Sequence, residues 1–526
     1  MINTSFLNKL AQTIVRDYAS NIANIVIVLP NKRAKVFLIE ELKKEIHSTI
    51  FAPEIISIED FIQNISGIRS IDSIELLFEF YTVYLSITSK EKQDPFESFA
   101  NWAKIVLQDF NEIDRYLLDP DKVLKYLENI KEIEHWSVDI DKRTSLIENY
   151  LSFWKTLPLY YHSLYNHLLN KRVGYQGLIY REAVNNLAVF SNTTKNKTYI
   201  FGGFNALNQA EEKIVQHLLS LNSAKVYWDI DEVFLNDPQH DAGLFVRRFK
   251  ATWSYYKTHP FEWIATNFAQ QKNIQVIGTS KSIGQAKIIG DLIQKQVNTN
   301  QQQSLKNVAV VLGDENLLLP VLYSLPSSVD ALNITMGYSS KNNPAQILIA
   351  KLFKTHTNAL NRNAKNYVFY YKDVLDILTH PLIEPYATTS KLVQTINKNN
   401  FTFITHKKLF ELHPNSNSLF QLLFQKWDTS ALEVLSSISQ LLLQIKFNLD
   451  SKNQEEKVAN AFVYSIYKVI NKLISYYSNN FEVDSIDTLY AIYKQIIDVA
   501  EVSFEGEPLN GLQIMGVLES RVLIFI

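Results

Sequence analysis

Cysteine is absent from all 526 residues. That removes disulfides, thiolate nucleophiles, thiolate zinc sites and iron–sulfur clusters from the chemistry open to this chain. Long apolar runs are also missing: nowhere do about eighteen apolar residues follow one another, so no membrane span is expected. The opening stretch, MINTSFLNKLAQTIVRDYAS, has no basic segment leading into an apolar one. No signal peptide is read there, and a cytoplasmic location is the simplest expectation. Charge of one sign is lacking too. The 52 basic residues stand against 54 acidic ones, leaving a net charge of −2. No global field attracts nucleic acid, so any such contact must come from a local basic patch. The phosphate-loop string G-x-x-x-x-G-K-[ST] occurs nowhere. Its nearest echo, Gly278-Thr279-Ser280-Lys281-Ser282, lacks the first glycine and the spacing and reads as a strand-to-helix turn.

What is present is an ordinary globular composition, 46% hydrophobic and 20% charged, on a chain long enough for about three domains. The organising stretch runs from Thr198 to Asp237. Tyr199-Ile200-Phe201 stops at Gly202-Gly203, helical spacing follows through Ile214, Leu218, Leu219 and Leu221, and Val226-Tyr227-Trp228 ends in Asp229, Asp231 and Glu232. This is a strand-helix-strand unit, which builds parallel sheets with ligands at the carboxyl ends of the strands. A nucleotide-hydrolysing motor needs carboxylates just after such a strand to hold magnesium and water; here that position reads as two glycines. The three acids after Trp228 read as a solvated strand end.

The same theme recurs along the chain. Ile25-Val26-Ile27-Val28-Leu29 is apolar at every position, as in a strand buried on both faces, and Lys32 to Ile46 resumes helical spacing. Gln275-Val276-Ile277 and Val308 to Leu312 read as strands of a second α/β core. Helices are expected over most of 57–190 and of 345–500. In the first of these regions DFNEID brings Asp109, Glu112 and Asp114 together. Only Asp109 and Glu112 share a helix face and no histidine joins them, so a solvated face or cap is read there rather than a metal site. His162 and His167, five apart, diverge around a helix. Asn31, Lys32 and Arg33 fall at a helix start, where exposed amides and basic side chains suit a phosphate; a solvated basic turn is the competing reading. The run Val522 to Ile526 ends the chain in an apolar strand-like segment, and a continuation is expected beyond it.

In order and spacing, several strings resemble the AddB/RexB branch of superfamily-one helicases, the helicase–nuclease subunit that processes double-strand DNA breaks. They are IVIVLPNKRAKVFL, DFNEID, GYQGLIYR, IFGGFNALNQAEEKIVQHL, VAVVLGDENLLLPVL with NITMGYS, and LQIMGVLESRVL. The resemblance implies an α/β fold of two RecA-like cores with large helical insertions. The first core would be formed by 1–60 and 195–265 around an insertion at 61–194. The second would be formed by 266–345 and 505–526 around an insertion at 346–504.

It further implies a DNA-binding scaffold for double-strand-break repair that docks an AddA-type motor subunit. Gly202 and Gly203 would mark a degenerate motor motif, and the PD-(D/E)XK nuclease domain would lie beyond residue 526. No catalytic or metal-binding residue is assigned in this chain; magnesium and ATP are expected only for full-length relatives or for the motor partner. Strand contacts are expected at Asn31, Lys32 and Arg33, with Glu519 and Arg521 as a weaker pair. An active ATP-dependent helicase with degenerate motifs, or a non-catalytic protein-interaction module, are the competing functions.

Overall fold

A computed structural model describes residues 5–19, 21–47, 49–134, 145–299, 305–329, 331–427, 430–449, 454–480, 485–498, 500–502, 509 and 511–520. Its contacts divide the chain into two compact units. One comprises Met1–Gln93, Trp102–Ile334 and Gly506–Ile526, and the other Asp94–Asn101 and Thr335–Glu505.

In the first unit, α1 (Phe6–Tyr18) leads to β1 (Ile25–Leu29), then α2 (Lys32–Glu45), β2 (Glu54–Ser57) and α3 (Ile58–Ser66). A helical stretch follows that includes α4 (Phe96–Arg115) from Trp102 onward, α5 (Ser145–Asn170) and α6 (Gln176–Thr193). The chain then returns through β3 (Thr198–Phe204), α7 (Gln209–Ser220) and β4 (Ala224–Trp228). The strands make one parallel sheet in the order β2-β1-β3-β4. Both faces of this sheet are covered, which is why β1 is apolar at every position. Ile25, Ile27, Leu29, Ile200 and Tyr227 pack beneath Leu7, Leu10 and Ile14 of α1 and Leu38 and Leu42 of α2. On strand β3, Tyr199 and Phe201 instead meet Phe61 of α3, and Tyr199 also meets Phe190 of α6.

Two glycines expected to end β3 lie inside it. The strand continues to Phe204, with a register shift between Gly202 and Phe204. Gly203 sits at φ +79°, a conformation that glycine adopts at little cost. Gly202 is buried, and a Cβ there would stand 3.0 Å from Leu10 Cδ2. The close approach of α1 accounts for the missing side chain, and the strand end is shifted to Phe204.

A second parallel sheet, in the order β6-β7-β5, consists of β5 (Ala309–Leu312), β6 (Leu332–Ile334) and β7 (Leu512–Gly516). The strand expected at Gln275-Val276-Ile277 does not form. That segment has no regular secondary structure and joins neither sheet, and Ile274 and Val276 are 77% and 92% exposed. An apolar run becomes a strand only when a neighbour accepts its backbone hydrogen bonds. None of the described strands does so here. After it, α8 (Ser282–Thr299) packs on α9 (Leu318–Ser324).

The second unit is built on α10 (Pro344–Arg362), α11 (Ala431–Asn448), α12 (Gln454–Asn480) and α13 (Ile486–Ile497). Asn343 caps α10 by accepting from Ala345 N at 2.8 Å, and its Nδ2 donates to Phe462 O and Ser465 Oγ, each at 3.0 Å. One residue therefore starts α10 and fixes it against α12. Among the described residues, no helix is long and apolar enough to cross a membrane.

Candidate functional site

Ligands of open parallel sheets bind outside the carboxyl ends of the strands. At that end of the first sheet lies a cleft of about 1150 Å³, bordered by Pro30 after β1, Glu59 after β2 and Asn208 after β3. Arg115, Glu211 and Arg248 also line it. Most of the charge is committed to structure. Asn208 accepts from Glu211 N at 2.9 Å while Glu211 Oε2 accepts from Asn208 N at 2.9 Å, a reciprocal box that closes the start of α7. Tyr180 donates to the same carboxylate at 3.1 Å. Burial outweighs these bonds and pushes the Glu211 carboxyl above its ordinary value. Glu212 accepts from Arg248 at 2.6 Å and from the Trp253 indole at 2.9 Å. Arg115 pairs with Glu112 at 3.0 Å. Among the described residues, no three His, Cys, Asp or Glu side chains are grouped to hold a metal ion.

The three residues expected to touch a nucleic-acid strand are each engaged. Asn31 is the cap of α2, accepting from Ala34 N at 2.8 Å. Lys32 projects into solvent and pairs with Asp60 Oδ1 at 3.0 Å. Burial drives the Asp60 carboxyl up, but hydrogen bonds from Ser57 and Lys32 prevail and hold it below its ordinary value. Arg33 turns toward the second sheet. Its Nη2 donates to Gln513 Oε1 on β7, Nη1 lies 3.9 Å from Met515 Sδ, and the guanidinium is 5.6 Å from the Phe37 ring centroid. Gln513 Oε1 also accepts from Asn333 Nδ2 of β6 at 2.6 Å. Arg33 thus ties the two sheets of the first unit together. Glu519 falls in the short 3-10 helix Leu518–Ser520 after β7; Arg521 lies outside the described residues.

Other expectations resolve into structural roles. Asp114, read from DFNEID as a solvated face or cap, is completely buried. It accepts from Arg181 Nε and the Tyr175 hydroxyl, both at 2.6 Å, and from the Tyr161 hydroxyl. These partners come from GYQGLIYR and from α5, and nothing in the spacing of either string announces the contact. Asp231, read as part of a solvated strand end, accepts from the backbone amides of Asn267 at 2.8 Å and Phe268 at 2.9 Å. His162 and His167 have separate carboxylate partners, Asp121 at 2.8 Å and Glu79 at 2.6 Å.

Compared with known families, the chain matches no family model, and no curated protein matches it.

Proposed function

We propose that this chain is a helicase-like, ATPase-silent scaffold that holds DNA beside an active motor, similar to the N-terminal part of an AddB-type helicase–nuclease subunit. In this reading the two parallel sheets are RecA-like cores. Magnesium, ATP hydrolysis and nuclease chemistry belong to an AddA-type partner and to a nuclease domain outside these residues. The observation that carries the reading is the strand-end cleft of the first sheet. It lies where an α/β motor binds nucleotide, yet Glu211 and Glu212 are occupied by Asn208, Tyr180, Arg248 and Trp253. The residues directly after β3 are Asn205, Ala206 and Leu207, which leave no acid to place a magnesium-bound water.

The test has two parts. Purified protein is expected to show no DNA-stimulated ATP turnover; turnover above background would return the reading to an active motor. A labelled single-stranded oligonucleotide is expected to bind. Lys32→Ala should weaken binding several-fold and lower the salt slope by about 0.7, the contribution of one phosphate contact on a single strand. An unchanged affinity and slope would remove Lys32 from the contact surface.

A further inference from the structure

The helical hairpin of the second unit leaves aromatic rings on its outer side. α11 buries Val434, Leu435, Ile438, Leu441, Leu442 and Ile445, and α12 buries Phe462, Val463, Ile466, Val469, Ile470 and Leu473. These apolar residues suffice to pack the pair. Phe447, at 85% exposure, and Tyr464, at 45%, lie outside that core. The ammonium groups of Lys446 and Lys468 lie 5.3 and 5.0 Å from the Tyr464 ring centroid, so the last turn of α11 and the middle of α12 share this surface. No acidic residue occurs from Val434 to Leu449 or from Lys457 to Asn480, although the chain as a whole is slightly acidic.

We propose that this face of α11 and α12 is a platform for single-stranded nucleic acid, with bases stacking on Phe447 and Tyr464 and phosphates meeting Lys446 and Lys468. The proposal rests on reading the chain as a nucleic-acid binder. Exposed rings beside cations match a polyanion that also presents flat apolar faces. Duplex DNA hides those faces in its stack, so a single strand is the ligand this chemistry selects. A basic helix face without rings would serve any polyanion equally.

Fluorescence anisotropy with labelled oligothymidylate tests it on the full chain. Phe447→Ala/Tyr464→Ala is expected to weaken binding about tenfold or more, while Tyr464→Phe retains it. Lys446→Ala/Lys468→Ala is expected to lower the salt slope by about 1.4. All these positions are exposed, and an unchanged circular dichroism spectrum and melting temperature confirm that each variant folds. Photo-crosslinking of an iodouracil oligonucleotide to the unsubstituted chain should label peptides of α11 or α12.

Wild-type binding that survives the aromatic double variant, together with crosslinks confined to other segments, would overturn the platform and leave the scaffold reading standing. Absence of any oligonucleotide binding by the wild type would overturn both. Heparin or phosphatidylserine vesicles bound in preference to oligothymidylate would likewise overturn it, in favour of a generic polyanion or lipid surface.

Discussion

His356 illustrates how a polar side chain is accommodated in the second unit. It is fully buried, stacked on Trp427 at 4.1 Å and 10°, with Nε2 2.9 Å from Leu423 O and Nδ1 2.7 Å from the Tyr367 hydroxyl. A carbonyl only accepts, so Nε2 carries the proton and Nδ1 accepts from the tyrosine. Burial pushes this imidazole down from its ordinary value of 6.5 to about 4. The folded state therefore disfavours the protonated form. Its contribution is fully present above about pH 6.5 and is lost as pH falls from there toward 4, by at most about 1.4 kcal/mol per pH unit. Urea unfolding measured across that range should show the decline, and His356→Gln should flatten it. His380, also pushed down to about 4 by burial, should supply what dependence remains. Equal slopes in wild type and variant would contradict this account. Nothing around His356 in the sequence signals its role, because its partners Tyr367, Leu423 and Trp427 are brought together only by folding.

At the scale of elements, β3 shows both the reach and the limit of reading a pattern. Tyr199-Ile200-Phe201 is legible as a strand, and the apolar spacing of α7 is legible as a helix. Gly202-Gly203, however, has the composition of a turn and the structure of a bulged strand end. The difference arises from α1, whose Leu10 approaches so closely that a side chain at 202 has little room. Gly202→Val should force Leu10 aside and destabilise the first unit by about 1–3 kcal/mol, read from the midpoint of chemical unfolding. A neutral result would mean that α1 shifts freely on the sheet. Asn208→Ala should cost about 1 kcal/mol by opening the cap of α7. The same limit appears at Gln275-Val276-Ile277, where composition favours a strand but no neighbouring backbone is available to pair with it.

Across the whole molecule, the first unit depends on contacts far apart in sequence. Arg33 and Gln513 are separated by 480 positions, yet their bond joins the helix after β1 to the middle of the second sheet. A double-mutant cycle with Arg33→Ala and Gln513→Ala should give a coupling energy of about 1–2 kcal/mol, as for a charge-assisted bond in a partly buried site. Coupling near zero would show that the two sheets are held by packing alone. The exposed Ile274 and Val276 predict a further behaviour, because an unpaired apolar segment at the surface invites association between molecules. Val276→Lys should lower self-association in light scattering at matched concentration. No change would indicate that this segment is shielded in solution.

The sequence alone determined local choices: the strand Ile25–Leu29, buried at every position, and the strand Ala309–Leu312, the helices whose apolar residues recur every three to four positions, and the absence of a phosphate loop and of cysteine chemistry. These are legible because periodicity, burial on two faces and residue type act within a few residues of each other. Tertiary structure alone decided which charges remain at the surface. Arg33 reads as a phosphate contact and becomes a tie between sheets. Asp114 reads as a solvated face or cap and becomes a buried partner of Arg181, while Phe447 and Tyr464 have the composition of core residues and stand outside the core. A side chain's chemistry is set by its type, but its availability is set by which distant groups satisfy or cover it, and that is fixed only when the chain has closed on itself.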